Sequence, residues 1–166
     1  LLATILSCQQ KEAAKSNTIT VQGSSISGLE TEFMTRSYSD DEGNRVSDTI
    51  YVDNGSFIYT TSIEEPTFMF FWPNVESTIK RTGRGYYPVK SSQFAFLANP
   101  GDEIEFKGKV TDFINVFPRG TKANDDLAKI NSQVFPLMNQ SVNYLLETEL
   151  LEENDKRLPI IKDSID

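Results

Sequence analysis

The sequence predicts a mainly β fold, namely an antiparallel β-sandwich or partly open barrel of about seven or eight strands, followed by a C-terminal helical segment. Apolar residues recur at every second position from Thr18 to about Pro118, which is the period of half-buried strands. Clusters of Gly, Pro, Asn and Asp separate these short apolar runs and predict turns. After Pro118 the apolar residues recur at helical spacing. We therefore divide the chain into an all-β domain over residues 18–118 and a helical segment over residues 119–166.

The first strands are predicted from alternation and from the polar turn that follows them. Ile19 and Val21 alternate with polar neighbours, and a weaker strand is predicted over residues 30–38. The run 40–44 (Asp-Asp-Glu-Gly-Asn) lacks the alternating oxygen ligands and distal glutamate of a calcium loop. We therefore expect a hairpin turn at this run.

Two further turns are predicted from residues that tolerate positive φ. Asn54-Gly55 lies between the β-rich runs 48–52 and 56–61, which predicts a hairpin because both central residues of its tight turn need positive φ. In the run 99–102 (Asn-Pro-Gly-Asp), proline at the second position and glycine at the third fit a type II turn. Alternating runs flank this turn, so we expect a strand on each side of it.

Residues 67–72 (Thr-Phe-Met-Phe-Phe-Trp) form a continuous apolar run rather than an alternating one. Such a run predicts a strand that is covered on both faces, or a strand whose outer face meets a partner. The predicted core collects large apolar side chains from all the strands: Phe33, Ile50, Phe57, Phe68, Phe70, Phe94, Phe96, Ile104 and Phe106.

The helical segment begins near a capping residue and contains an internal proline. Thr121 or Asn124 can cap the helix, and acidic residues at 125–126 suit the positive end of its dipole. Pro136 lacks an amide donor and predicts a kink or a break. We expect one apolar stripe to dock partly on the β-domain and partly on a further partner. The stripe comprises Leu127, Ile130, Val134, Leu137, Val142, Leu145 and Leu146.

The N-terminal residues predict a lipid anchor. Residues 1–7 are interpreted as the end of an export signal, and Cys8, the only cysteine of the chain, follows the small residue Ser7. Residues 5–8 (Ile-Leu-Ser-Cys) resemble the lipobox of bacterial lipoproteins, which implies that Cys8 is acylated and holds the protein on a membrane of the cell envelope. Residues 8–17 are then a polar tether. The alternative is a buried or incidental thiol in a frayed terminus.

The composition argues against most catalytic and nucleic-acid functions. The chain has no histidine, which excludes a Ser-His-Asp triad, a Cys-His pair and histidine-ligated zinc within it. The net charge of -8 argues against nucleic-acid binding. The run 80–87 sets basic residues beside two tyrosines, but a loop with solvated charges is the favoured interpretation. We expect no catalytic residue, metal or cofactor, and we expect the carboxylates at 40–42, 64–65 and 125–126 to be solvated.

Three motifs together resemble a known family. They are Asp48-Thr49 with Asn54-Gly55-Ser56-Phe57 four residues later, then the run 97–104, then the run 120–125. Their order and spacing resemble the β-domain of unknown function that precedes a thioredoxin-like or peroxiredoxin-like thiol-disulfide oxidoreductase domain in envelope lipoproteins. The resemblance spans residues 8 to about 150. The chain contains no Cys-x-x-Cys, so no redox residue can be assigned to it.

The resemblance implies a non-catalytic anchoring or interaction module, truncated before its redox domain. Its partners would be the membrane, through acylated Cys8, and a C-terminal thioredoxin-like domain or another envelope protein. The alternative is a stand-alone lipoprotein that binds a glycan or a peptide through Trp72, Tyr86 and Tyr87. A self-contained enzyme is a third hypothesis, which the missing histidine and the missing cysteine pair disfavour.

Overall fold

The computed structural model describes residues 17–40, 42–82, 85–87, 89–151 and 155–163, and in these residues the chain is mainly β. The first five strands are β1 (Thr18–Gly23), β2 (Phe33–Ser39), β3 (Arg45–Tyr51), β4 (Phe57–Ser62) and β5 (Thr67–Phe71). The second five are β6 (Lys80–Thr82), β7 (Gly85–Tyr87), β8 (Phe94–Ala98), β9 (Glu103–Val110) and β10 (Ile114–Arg119). A long helix α1 (Lys122–Leu150) and a short helix α2 (Leu158–Asp163) follow.

The strands form several small sheets, and those of the described residues do not close into a barrel. The largest sheet has four strands in the order β10-β9-β1-β4. The pairs β2-β3, β5-β8 and β6-β7 form two-stranded sheets, and a bridge between Thr35 and Trp72 connects β2 to β5. Because β1 and β9 run parallel, the prediction of a purely antiparallel arrangement is wrong. Turn residues indicate only pairing between neighbours in sequence, and β1 and β9 lie far apart along the chain.

The turn at Asn54-Gly55 is confirmed, but the hairpin ladder predicted beside it is wrong. Both residues have positive φ, 49° at Asn54 and 71° at Gly55. Asp53 and Ser56 exchange two backbone hydrogen bonds of 2.9 and 2.8 Å. Beyond this pair the two strands separate, because β3 pairs with β2 and β4 pairs with β1. The turn therefore connects two sheets rather than two strands of one sheet.

Replacing Gly55 with valine should lower the free energy of unfolding by about 2 kcal/mol or more. A Cβ atom at Gly55 would lie 2.5 Å from the carbonyl oxygen of Ile26, in addition to the cost of positive φ. Gly43→Val is the matched control, since Gly43 also has positive φ but has no atom within 4 Å of the corresponding Cβ position. Urea unfolding measures both, and equal losses would show that the contact with Ile26 has no effect.

The core is a cluster of aromatic rings between the sheets. Phe94 and Phe106 lie 5.0 Å apart between ring centroids, and Phe96 and Phe106 lie 5.7 Å apart, all with edge contacts. Six of the predicted core residues are buried: Ile50, Phe57, Phe94, Phe96, Ile104 and Phe106. Edge-to-face pairs of this kind contribute about 0.5–1.5 kcal/mol each beyond burial of area. The rings therefore fix how the sheets pack.

Three predicted core residues are not in the core. Phe68 is 57% exposed, Phe33 is 41% exposed, and Phe70 is only half-buried. In β5 the inward positions belong to Met69 and Phe71, so Phe68 and Phe70 point outward. A continuous apolar run does not reveal which alternate residues face inward.

Helix α1 begins as predicted, but it is not split at its proline. Thr121 is the N-cap, and its Oγ1 accepts a hydrogen bond of 3.2 Å from the backbone N–H of Asn124. The helix continues through Pro136 to Leu150. Pro136 has no N–H to donate to the carbonyl of Ser132. Both residues lie on the exposed side of the helix, where water can hydrogen-bond to that carbonyl instead.

Candidate interaction surface

Cys8, the proposed lipidation site, lies outside the described residues, as do residues 1–7 and most of the tether. In the part of the chain that the structure describes, no helix is both long and apolar enough to cross a bilayer.

The three aromatic residues predicted as a ligand contact do not form one surface. Trp72 is half-buried and lies edge-on to Tyr86, with ring centroids 6.4 Å apart. Both line a hollow of about 290 Å³ together with Arg45. Tyr87 follows Tyr86 in β7 and therefore points to the opposite face of the strand.

Two of the basic residues next to these aromatics, Lys80 and Arg81, are paired within the chain. Lys80 is buried, and its Nζ donates a hydrogen bond of 2.8 Å to the backbone oxygen of Asp112. Arg81 makes two hydrogen bonds, of 2.9 and 2.7 Å, to the carboxylate of Glu76. Arg84 lies outside the described residues. This pairing supports the interpretation of the run 80–87 as structural.

The described residues of the carboxylate clusters lie in turns or bends and at a helix start, as predicted. Asp40 Oδ1 accepts hydrogen bonds from the backbone N–H groups of Asn44 (2.7 Å) and Glu42 (3.0 Å), which closes the β2–β3 turn. The hydrogen bond from Asn44 is the main cause that lowers the pKa of Asp40. Asp126 pairs with Lys122 on the exposed side of α1. Among the described residues, no three His, Cys, Asp or Glu side chains are arranged to hold a metal.

Polar side chains from β2, β3 and β4 form a cluster that connects the sheets at one end of the core. Arg36 on β2 donates hydrogen bonds from Nη1 to Tyr59 Oη on β4 (2.9 Å) and to Asp48 Oδ2 on β3 (3.3 Å). Tyr59 Oη donates a hydrogen bond to the same carboxylate oxygen of Asp48 (2.5 Å). Burial raises the pKa of Tyr59, and the hydrogen bond to Asp48 raises it further. The phenol therefore stays protonated at neutral pH and acts as a fixed donor between the sheets.

One face of α1, which we call the docked face, packs on the β-domain. It comprises Asn124, Ala128, Phe135, Asn139 and Val142. The rings of Phe135 and Phe117 lie 5.8 Å apart. Asn124 accepts from the backbone N–H of Leu97 (2.9 Å) and donates to its carbonyl (2.8 Å), as a neighbouring strand would. The helix thereby covers part of the free edge of β8.

The middle of the docked face is held by Asp112, which lies in the turn between β9 and β10. Its Oδ2 accepts hydrogen bonds from Asn139 (2.6 Å) and Asn143 (3.3 Å) and lies 3.5 Å from Lys80 Nζ. Burial raises the pKa of Asp112, but the hydrogen bonds from both asparagines and the charge of Lys80 outweigh burial. The pKa therefore lies below its ordinary value.

A second face of α1, formed by Ile130, Val134 and Leu137, is not covered by the β-domain. Ile130 is 58% exposed and Leu137 is 63% exposed, while Val134 is half-buried. At about 100° per residue this face lies roughly 80–140° around the helix from Asn124. The stripe thus docks only in part on the β-domain, as predicted, and a further partner for Ile130 and Leu137 stays a prediction.

The second face of α1 adjoins an apolar hollow on the β-domain. The hollow, of about 330 Å³, lies between the outward side chains of β5 and the helix, and Phe68, Phe70 and Leu127 line it. Leu127 is on the side of the helix between the docked face and Ile130. Phe68 of β5 and Leu127 of α1 therefore share this hollow, and Ile130 lies about one turn along α1 from Leu127.

Comparison with known proteins identifies the domain. Residues 18–127 match a family model described as a domain of unknown function, DUF4369. This stretch contains all ten strands described above and the start of α1. No curated protein and no solved structure matches the chain. The match covers more than half of the chain and agrees with the predicted likeness to a β-domain of unknown function. The chain belongs to the DUF4369 family.

Proposed function

We propose that the chain is a non-catalytic interaction module of an envelope lipoprotein and that it holds a C-terminal thioredoxin-like domain on the second face of α1. The observation that carries the proposal is the exposure of three large apolar side chains, Phe68 on β5 and Ile130 and Leu137 on α1, each of them more than half exposed. Phe68 also lines the apolar hollow between β5 and α1, and exposed apolar patches of this kind mark interaction sites.

Contacts between α1 and the β-domain fix the position of this surface, as a docking surface requires. Asn124 bonds the start of α1 to β8, and Asp112 bonds its middle to the β9–β10 turn. Phe135 packs on Phe117 between these two points. A partner that binds the second face therefore meets a helix whose orientation is already fixed, which lowers the entropy cost of binding.

A catalytic role has less support than an interaction role. The chain contains no histidine and a single cysteine, so it cannot supply a thiol pair for disulfide exchange. The redox chemistry, in this proposal, belongs to the partner domain. Reading the gene beyond the codon for Asp166 tests the proposal, because it should continue into a thioredoxin-like domain, and a stop codon soon after Asp166 would contradict it.

Replacing Cys8 with serine should release the complete protein from membranes without changing its fold, because the proposed role of the thiol is acylation alone. More than one acyl chain is needed for stable anchoring, so loss of the acylated residue removes the anchor entirely. Fractionation followed by a high-salt wash measures the effect. Sedimentation of the Cys8→Ser protein with the washed membranes would show that another segment anchors the chain.

A second candidate function is ligand binding in the hollow between Trp72, Tyr86 and Arg45. The ring edges and a guanidinium around a hollow of about 290 Å³ suit a sugar or a peptide carboxylate. Titration of tryptophan fluorescence with glycans and acidic peptides tests it, since Trp72 is the only tryptophan. Tyr87→Ala is the control, because Tyr87 points away from the hollow and its loss should leave any response unchanged.

A further inference from the structure

The strands β3 and β4 leave a cleft between them, which we call the β3–β4 cleft, although a tight turn joins them. Its volume is about 680 Å³, and residues of both strands line it. Within residues 45–62, all of which the structure describes, Asp53–Ser56 is the one backbone pair that joins the two strands. The cleft lies away from the second face of α1, so it is independent of the proposed function.

Backbone groups of β3 point into this cleft. Val52, which directly follows β3, donates a hydrogen bond of 2.9 Å from its N–H to Glu32 O. Every second residue back from Val52 along β3 therefore bonds to β2. Alternate residues of an antiparallel strand direct their N–H and C=O groups to opposite sides. Thr49 and Tyr51 therefore direct theirs away from β2, toward β4.

Backbone groups of β4 point into the same cleft from the other side. Ile63, which directly follows β4, donates a hydrogen bond of 2.9 Å from its N–H to Asn17 O, so every second residue back from Ile63 bonds to β1. Ile58 and Thr60 lie between these residues and direct their N–H and C=O groups away from β1. Free strand edges are usually protected by charged side chains, proline or a bulge. The sequence of β4, Phe57–Ser62 (Phe-Ile-Tyr-Thr-Thr-Ser), has no charged residue and no proline.

The side chains around the cleft indicate the chemistry of its occupant. Tyr51 is 78% exposed and Ile58 is 66% exposed, and both line the cleft. Glu32 and Asp53 are the charged residues in the lining, and both are acidic. An extended segment with alternate apolar residues and at least one basic residue would match both features.

We propose that the β3–β4 cleft binds an extended, basic peptide segment of a partner protein, which adds as a strand to β4. The peptide would pair with the backbone groups of Ile58 and Thr60, pack apolar side chains on Tyr51 and Ile58, and set a basic side chain near Glu32 and Asp53. Strand addition of this kind draws affinity from main-chain hydrogen bonds and specificity from alternate side chains.

The experiment measures binding of a synthetic probe to the complete chain by calorimetry. The probe is an acetylated, amidated heptapeptide, Lys-Val-Thr-Val-Thr-Val-Lys, and its control is the same peptide with N-methyl groups on alternate backbone amides. Methylation removes the donors that pair with the edge, so binding should weaken by roughly tenfold or more. Replacing both lysines with glutamate should weaken binding as well, because the charges would repel.

A matched pair of variants locates the binding strand. Thr60→Pro removes the N–H that points into the cleft and leaves the pairing of β4 with β1 intact, whereas Thr60→Val keeps the N–H. We expect roughly tenfold weaker binding for Thr60→Pro and unchanged binding for Thr60→Val. If Thr60→Pro does not fold, the comparison of the two peptides on the natural chain decides the question.

Three results would overturn the proposal. The first is absence of binding at millimolar peptide, and the second is equal binding of the methylated and unmethylated peptides. The third is a concentration-dependent dimer that Thr60→Pro abolishes, because the occupant of the cleft would then be a second copy of this chain.

Discussion

Replacing Phe106 with alanine is expected to lower the free energy of unfolding by about 3–5 kcal/mol. Phe106 is fully buried, and its ring contacts those of Phe57, Phe94 and Phe96 at centroid distances of 6.3, 5.0 and 5.7 Å. The loss combines the transfer free energy of the ring with the cavity it leaves. Urea unfolding followed by circular dichroism measures it.

Phe33→Ala is the matched control for this prediction, because Phe33 is a strand phenylalanine that lies outside the core. We expect a loss below about 1 kcal/mol for this partly exposed ring. Equal losses for the two variants would show that the aromatic cluster does not hold the sheets together.

Replacing Asp112 with alanine is expected to destabilise the protein by about 2 kcal/mol, even though about half of its side chain is exposed. The change removes the acceptor of Asn139 and Asn143 and the carboxylate beside buried Lys80. Asp112→Asn keeps one acceptor oxygen and loses the charge. Its stability should therefore lie between that of Asp112→Ala and that of the natural protein. Amide exchange along the middle of α1 should accelerate in the same order.

Acid should remove part of the stabilisation that Asp112 provides, because protonation removes the charge but keeps one acceptor oxygen. The pKa of Asp112 is lower in the folded protein than the ordinary value of 3.8, so folding favours the ionised carboxylate. The stabilisation is therefore present above the unfolded pKa and is lost as pH falls through the folded pKa. Unfolding curves from pH 6 down to about pH 2 should show a steeper decline for the natural protein than for Asp112→Ala. Parallel declines would mean that Asp112 does not hold α1.

Local features of the fold could be predicted from the sequence because each depends on a few adjacent residues. Positive φ at Asn54, Gly55 and Gly101 follows from turn chemistry, and Thr121 caps α1 by a local hydrogen bond. Strand partners could not be predicted in the same way. The parallel pairing of β1 with β9 brings together segments that are distant in the chain, and no turn residue indicates it.

The docked face of α1 contains two asparagines that the apolar pattern of the helix does not indicate. Hydropathy does not indicate burial of Asn124 and Asn139, but both side chains are buried. Asn124 is satisfied by the backbone of Leu97, and Asn139 donates to Asp112. Partners of this kind come from distant parts of the chain, so the sequence shows the apolar residues of the helix but not which of them stay exposed.

Side-chain oxidation by hydroxyl radicals, compared between this chain and the complete product of its gene, tests the interaction surface most directly. If a C-terminal domain binds the second face of α1, Ile130 and Leu137 should react several-fold less in the complete protein, and Phe68 should be protected with them. Tyr51, which lies on the β3–β4 cleft, should react equally in both and serves as the internal control. Equal oxidation of Ile130 and Leu137 in the two proteins would contradict the proposed function.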